Sequence, residues 1–284
     1  MKKVVVLGCA GMAGHIMAEH FNCIEGYSVL GVARGEGKYV TDKLDVSDFS
    51  ALQKYLEKTK PNFVINCIGV LVGQSSNDIC TAIQMNSYLP HFLSKLGRSE
   101  GFKLIHISTD CVFSGKDGQY QESSFKDGDD NYARTKALGE IDNGRDLTIR
   151  TSIIGPELKT DGTGLLNWFL KQHAEIKGYT EAYWSGVTTL ELAKATGELI
   201  SQNIVGIYQL CPAEKISKYD LLILFSKVWD RGINVVPFEG YKVDKSLTCT
   251  RSDFDYSVPG YEAMLEQLQV WMKSHPEQYK HYQL

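Results

Sequence analysis

The chain has no excess of positive charge: 30 Lys and Arg face 34 Asp and Glu across 284 residues, a net charge of -4. Nucleic-acid-binding domains usually present a basic face, so no nucleic-acid partner is expected. There is no CxxC pair. The seven cysteines (Cys9, Cys23, Cys67, Cys80, Cys111, Cys211, Cys249) are scattered and odd in number, which points to free thiols in a reducing compartment. The seven histidines include no HExxH or comparable ligand spacing, so no metal is expected. Long apolar runs are missing too. Val4-Val5-Val6-Leu7 stops at Gly8, too short to span a membrane and without a signal-cleavage region. A cytoplasmic protein without membrane contact is the expectation. Repeats, low-complexity tracts and linkers are also absent. With 43% hydrophobic and 23% charged residues, the chain suits one large α/β domain, or a core with a smaller cap.

Apolar strand-like runs alternate with helical patterns through the first half. Residues 4–7, 28–33, 63–68, 103–108 and 146–150 read as strands, the first continuously apolar and β-branched as in a buried parallel sheet. Helices are predicted over 13–21, 49–58 (with Leu52, Tyr55 and Leu56 on one face) and 79–98, and one opens at Tyr132. This alternation predicts a Rossmann-like, doubly wound parallel sheet with its ligand crevice at the carboxyl ends of the strands. Residues 1–155 form that dinucleotide-binding core. Beyond Pro156 the alternation becomes irregular, and 156–284 is expected to be mainly a discontinuous substrate cap, with some segments returning to the core. Its helices are predicted over 162–173, 218–229 and 261–273.

Between the first strand and first helix stands Gly8-Cys9-Ala10-Gly11-Met12-Ala13-Gly14. The first glycine allows a tight turn, the second lets backbone approach a pyrophosphate, and the third permits close helix–strand packing. An anion would sit on the free N–H groups of the helix start. A turn that merely packs tightly is the alternative. The second strand ends in Arg34, with Lys38 close behind. Arginine here accommodates a ribose 2′-phosphate, so NADPH/NADP is favoured, while Glu36 keeps NADH open. Asp45 and Val46 lie where a loop can reach the adenine, and Cys67 and Gly69 where a strand end passes under the cofactor.

Ser108-Thr109-Asp110 and Tyr132-Ala-Arg-Thr-Lys136 carry the chemistry. Residues four apart are neighbours on a helix face, so Lys136 is placed beside the Tyr132 phenol. Its ammonium is expected to pull that pKa below the reference of about 10. Thr109 can hydrogen-bond the same oxygen. The trio fits protonation of a carbonyl oxygen during hydride transfer to its carbon.

In this order the motifs resemble those of the extended short-chain dehydrogenase/reductases, and more closely dTDP-4-dehydrorhamnose reductase and related nucleotide-sugar 4-ketoreductases. STDCVFSG (108–115), YQE (120–122), NYARTKALGE (131–140), RTSIIG (150–155) and SGVTTLELA (185–193) carry the likeness, and Ser217 to Leu221 extends it weakly into the cap. The resemblance implies Tyr132 as general acid, Lys136 on the nicotinamide ribose and Thr109 orienting the sugar ketone. Gly8, Gly11, Gly14, Met12 and Arg34 would contact the cofactor. Ser108, Asn86, Trp184 and Arg251 are further substrate candidates, although Arg251 can equally pair with Asp253. Two departures point away from the rhamnose precursor. Ile153-Ile154 replaces a frequent aromatic pair, and Cys111 stands where tyrosine is common, so a different nucleotide sugar such as an acetamido-deoxyhexose intermediate of surface-polysaccharide synthesis is expected. A 4,6-dehydratase would place a second carboxylate after Asp110, where this chain has Cys111. A nucleotide-sugar epimerase stays open, as does a non-catalytic NADP-binding regulatory subunit like the methionine adenosyltransferase β subunit. The expected partner is a nucleotide-sugar substrate, with a homodimer as the assembly left open.

Overall fold

Continuously apolar strands need cover on both faces, and the fold supplies it. The computed structural model describes residues 1–254 and 256–282. A seven-stranded sheet contains β1 (Lys2–Leu7), β2 (Tyr27–Ala33), β3 (Asp42–Lys43), β4 (Phe63–Asn66), β5 (Lys103–Ile107), β6 (Leu147–Arg150) and an edge strand Gly206–Gln209. Their order is Gly206–Gln209, β6, β5, β4, β1, β2, β3, and every pairing is parallel. The order reverses between β1 and β4, where doubly wound sheets open their ligand crevice.

Side chains alternate across a strand, and β1 divides its valines accordingly. Val4 and Val6 pack with Ile16, Met17 and Phe21 of α1 (Met12–Cys23), and with Leu192 and Leu199 of the helix Thr189–Ser201. Val5 and Leu7 face the other layer, with Leu52 and Leu56 of α2 (Phe49–Thr59) and Leu89 and Leu93 of the helix Leu89–Glu100. Full burial of each such side chain contributes roughly 1.5–3 kcal/mol.

The strand expected over 63–68 stops at Asn66, because the Asn66 carboxamide oxygen takes the Ile68 N–H at 3.1 Å and turns the chain out of the sheet. The single helix expected over 79–98 is interrupted. Ile79–Ala82 runs into a π-helical stretch, Ile83–Tyr88, before Leu89–Glu100 begins. Pro90 explains the break: it has no N–H to give the Asn86 carbonyl one turn back, and the Leu89 N–H bonds Gln84 instead. Gly139 of the helix Asn131–Gly139 then packs on that carbonyl, where a Cβ would stand 1.8 Å from the oxygen.

After residue 155 two elements rejoin the core, the helix Thr189–Ser201 and the edge strand Gly206–Gln209, neither of which the apolar pattern predicts. The rest builds a second body from short pairs: Ile176–Tyr179 with Val235–Phe238, and Ala182–Trp184 between Ile216–Ser217 and Val243–Asp244. The helices Leu165–Leu170, Lys218–Val228 and Tyr261–Ser274 belong to the same stretch, each within two to three residues of its expected bounds. Among the described residues no helix is long and apolar enough to cross a membrane.

Candidate active site

The glycine turn meets the steric demands of its sequence. Gly8 has φ +81°, and Cys67 and Ile68 of the β4 end press against it. A Cβ on Gly14 would stand 2.1 Å from the Gly8 carbonyl oxygen, so α1 approaches the turn as only glycine allows. Gly11 caps the N-terminus of α1 and is exposed; its N–H bonds the Gly8 carbonyl at 2.9 Å, which closes the turn. Met12 opens the helix. Beside the turn lies a hollow of about 220 Å³ bounded by Cys9 and Ala10, the 36–40 loop, and Leu158 and Lys159. Arg34 is exposed at the end of β2, and Asp45 is its charged neighbour. Glu36, the residue that left NADH open, pairs with Lys43. Asp45 accepts the N–H and hydroxyl of Ser47 at 3.0 and 2.8 Å, which hold its carboxyl below the usual range. Val46 is buried against the second core layer, and Gly69 is exposed just past the β4 end. Cys67 is a free thiol pushed up to about 12 by burial. The predicted glycine, β2-end, β3-end and β4-end residues therefore gather along the carboxyl ends of the strands, and the donor set fits a dinucleotide pyrophosphate.

β5 delivers Thr109 and Asp110 at its carboxyl end. The Thr109 hydroxyl accepts the Cys111 N–H at 3.1 Å and donates to Asp110 at 3.2 Å. Asp130 caps the helix Asn131–Gly139 through the Ala133 N–H at 2.7 Å, which sets Tyr132 in its first turn. The Tyr132 phenol faces Thr109. Burial is the dominant influence and raises its pKa, with the Thr109 bond opposing. The expected depression by Lys136 does not occur. Lys136 is 3% exposed, and its ammonium donates to the Ile107 carbonyl at 2.7 Å, with His106 Nε2 at 3.4 Å. Burial lowers it to about 8, against the pull of Glu140. Asn66 in turn holds His106 Nδ1 at 3.2 Å.

Several predicted residues serve the frame instead of the cleft. Ser108 donates to Glu140 at 2.7 Å, inside a cluster where Arg150 grips both oxygens of Glu140 at 2.9 and 2.7 Å. Asn86 is fully buried. It accepts the Val70 N–H at 2.8 Å and donates to the Val70 carbonyl and the Thr135 hydroxyl, tying the β4 loop to the Tyr132 helix. Trp184 is 4% exposed, its ring between Tyr261 and the Lys218 ammonium 5.0 Å from its centroid. Arg251 is not at the site. Its guanidinium pairs with Asp253 and donates to the carbonyls of Val205 and Ile207 beside the edge strand, because unpaired carbonyls there need a donor.

Linear reading missed what the cap contributes. Burial holds Asp110 above the usual carboxylate range, against the pull of Lys245 and Lys218. Lys218 itself is lowered to about 8 by burial, with Asp110 opposing. Its signal was the Ser217–Leu221 stretch. Nothing local placed it opposite Asp110. Among the described residues no group of His, Cys, Asp and Glu is arranged to hold a metal ion.

Comparison with known proteins gives the family and the fold. A dTDP-4-keto-6-deoxy-D-glucose reductase of Streptomyces niveus is 24% identical over 225 residues, 76% of this chain and 75% of its own. The methionine adenosyltransferase 2 subunit beta of Xenopus tropicalis is 23% identical over 238 residues, 78% of this chain and 70% of its own. The crystal structure of dTDP-4-dehydrorhamnose reductase from Bacillus anthracis in complex with NADP has the same fold, with a TM-score of 0.80 and 20% identity over 95% of this chain and 99% of that one. Residues 1–240 match the model of one family throughout, and the chain belongs to that family, described as the RmlD substrate binding domain.

Proposed function

We propose that the protein is a reductase that uses a nicotinamide dinucleotide, with NADP(H) preferred, to reduce the ketone of a nucleotide-linked 4-keto-6-deoxy sugar. The observation that carries this reading is a proton-bearing phenol, Tyr132, facing the Thr109 hydroxyl at the carboxyl end of β5, with a glycine-lined anion cradle on the same rim of the sheet. Bound in that cradle, the dinucleotide supplies the hydride.

The chain's own residues do the rest. The phenol, ordinarily near 10, carries its proton at neutral pH, and burial raises its pKa further, so the proton passes only as the substrate oxygen gains charge. Thr109 orients the carbonyl oxygen toward that proton. Lys136, one helical turn beyond Tyr132, is the residue for the nicotinamide ribose. Arg34 and Lys38 stand at the end of β2 for a 2′-phosphate. Cys111 and Ile153, in place of aromatic residues, support a sugar other than the rhamnose precursor, and an acetamido-deoxyhexose intermediate of surface-polysaccharide synthesis is the reading we adopt. The likeness to an adenosyltransferase subunit supports a regulatory role as the second reading. One assay separates them. A panel of 4-keto nucleotide sugars is incubated with NADPH, and loss of reduced-nicotinamide absorbance with at least one of them is expected. No turnover with any sugar, together with tight binding to another protein, sinks the enzymatic reading.

A further inference from the structure

The segment after the helix Tyr261–Ser274 folds back on the molecule and buries Tyr279 and Tyr282 to 1% and 6% exposure. Three of its polar contacts reach residues that adjoin the walls of the hollow beside the glycine turn without lining it themselves: His15, Glu157 and Glu19. The Tyr279 hydroxyl lies 2.8 Å from Nε2 of His15 on α1, and Nδ1 of the same ring lies 2.9 Å from the Gly11 carbonyl. A carbonyl only accepts, so Nδ1 carries the proton and Nε2 accepts from the phenol. Gly11 is the N-cap residue of α1, in the glycine turn. The Tyr282 hydroxyl accepts the Glu157 N–H at 3.0 Å, and the next two residues, Leu158 and Lys159, close the outer wall of the hollow. His275 Nε2 stands 3.4 Å from Glu19 on α1. The same carboxylate is 3.7 Å from Lys38, on the loop that forms the third wall. Ring contacts continue the chain: His15 lies 5.9 Å from Tyr279 and 6.3 Å from Tyr39, and Tyr39 also lines the hollow.

We propose that residues 275–282 act as a latch that sets the spacing of the three walls around the adenosine end of the dinucleotide, so that cofactor binding and docking of the segment strengthen each other. The proposal rests on the dinucleotide reading above. Tyr279 and Tyr282 are positioning residues, because they act through His15, Gly11 and the 157–159 strap and meet no reacting atom. A terminus that merely packs on the core would add stability and leave ligand affinity alone. A latch differs by thermodynamic reciprocity: if docking tightens the cofactor site, the cofactor must tighten docking by the same factor.

Calorimetric titration of the full chain with NADP+ should therefore give a dissociation constant roughly three- to tenfold weaker for Tyr279→Phe than for wild type, the effect of losing about one neutral hydrogen bond. Tyr256→Phe, which removes a half-buried hydroxyl bonded to Glu191 outside the hollow, should lower the melting temperature and leave that constant unchanged. Hydrogen exchange of the wild-type peptide spanning 276–282 should slow when NADP+ saturates the protein. Unchanged exchange in wild type that binds NADP+ overturns the latch, and so does an unchanged constant for a folded Tyr279→Phe. If Tyr279→Phe does not fold, the wild-type exchange measurement decides alone. Failure of wild type to bind either NADP+ or NAD+ would instead remove the dinucleotide reading, and the latch with it.

Discussion

The Tyr132 phenol would be protonated at neutral pH even in water, and burial, by disfavouring the phenolate, raises its pKa and makes it a weaker acid. Tyr132→Phe is expected to lower turnover about a hundredfold or more, with the NADP+ dissociation constant within threefold of wild type; steady-state rates and calorimetry check it. Lys136 presents the opposite problem, a charge that burial disfavours. The unfolded chain binds its proton up to about 10.5 and the folded chain only up to about 8. Between those values the unfolded state binds more protons, so this group makes stability rise with pH and costs most below 8. Lys136→Met should thus be more stable than wild type at pH 7, by up to about 3 kcal/mol, with the advantage fading through pH 8 to 10.5. Urea midpoints across that range test it. A constant difference would place the cost elsewhere. Arg34→Ala should weaken NADPH far more than NADH, since only the former carries a 2′-phosphate. Equal loss in binding titrations would remove Arg34 from that role.

At the scale of elements, the site depends on close approaches. α1 reaches the glycine turn because Gly14 has no side chain, and the π-helical stretch before Leu89–Glu100 accepts Gly139 because Pro90 leaves the Asn86 carbonyl unbonded along the helix. Gly14→Ala puts a methyl 2.1 Å from the Gly8 oxygen, and backbone has to move to admit it. Dinucleotide affinity should fall more than tenfold while the far-UV circular dichroism stays close to wild type, because only the first turn is displaced. Retained affinity would show that the cradle does not need this approach. The sequence made the turn legible because glycine spacing is local. It did not reveal the break in the helix over 79–98, although Pro90 was in view. A proline inside a periodic pattern signals a boundary, and only the partner across the interface decides between an end and a bulge.

For the whole molecule, the decisive event is the meeting of cap and core. Lys218 and Lys245 come from the cap to face Asp110 of the core, while the helix Thr189–Ser201 and the edge strand cross back to complete the sheet layers. On the proposed function, these two lysines beside Asp110 would meet an anionic nucleotide sugar. Lys218→Met is expected to raise the KM for that substrate by about tenfold and leave the dinucleotide constant unchanged. An equal effect on both constants would mean that Lys218 supports the fold and does not meet the sugar nucleotide.

Sequence alone determined the parallel sheet, the anion-binding turn and the order Thr109, Tyr132, Lys136, because each rests on neighbours a few residues apart: β-branched runs, glycine spacing and a single helical turn. The tertiary structure decided everything that depends on environment. It raised the Tyr132 pKa where charge alone predicted a fall, since desolvation dominates and the Lys136 ammonium is engaged by Ile107. It turned Ser108 and Asn86 into struts, drew Arg251 to the edge strand, and set Lys218 opposite Asp110. Burial and partners come from contacts between distant segments, and no local pattern encodes those.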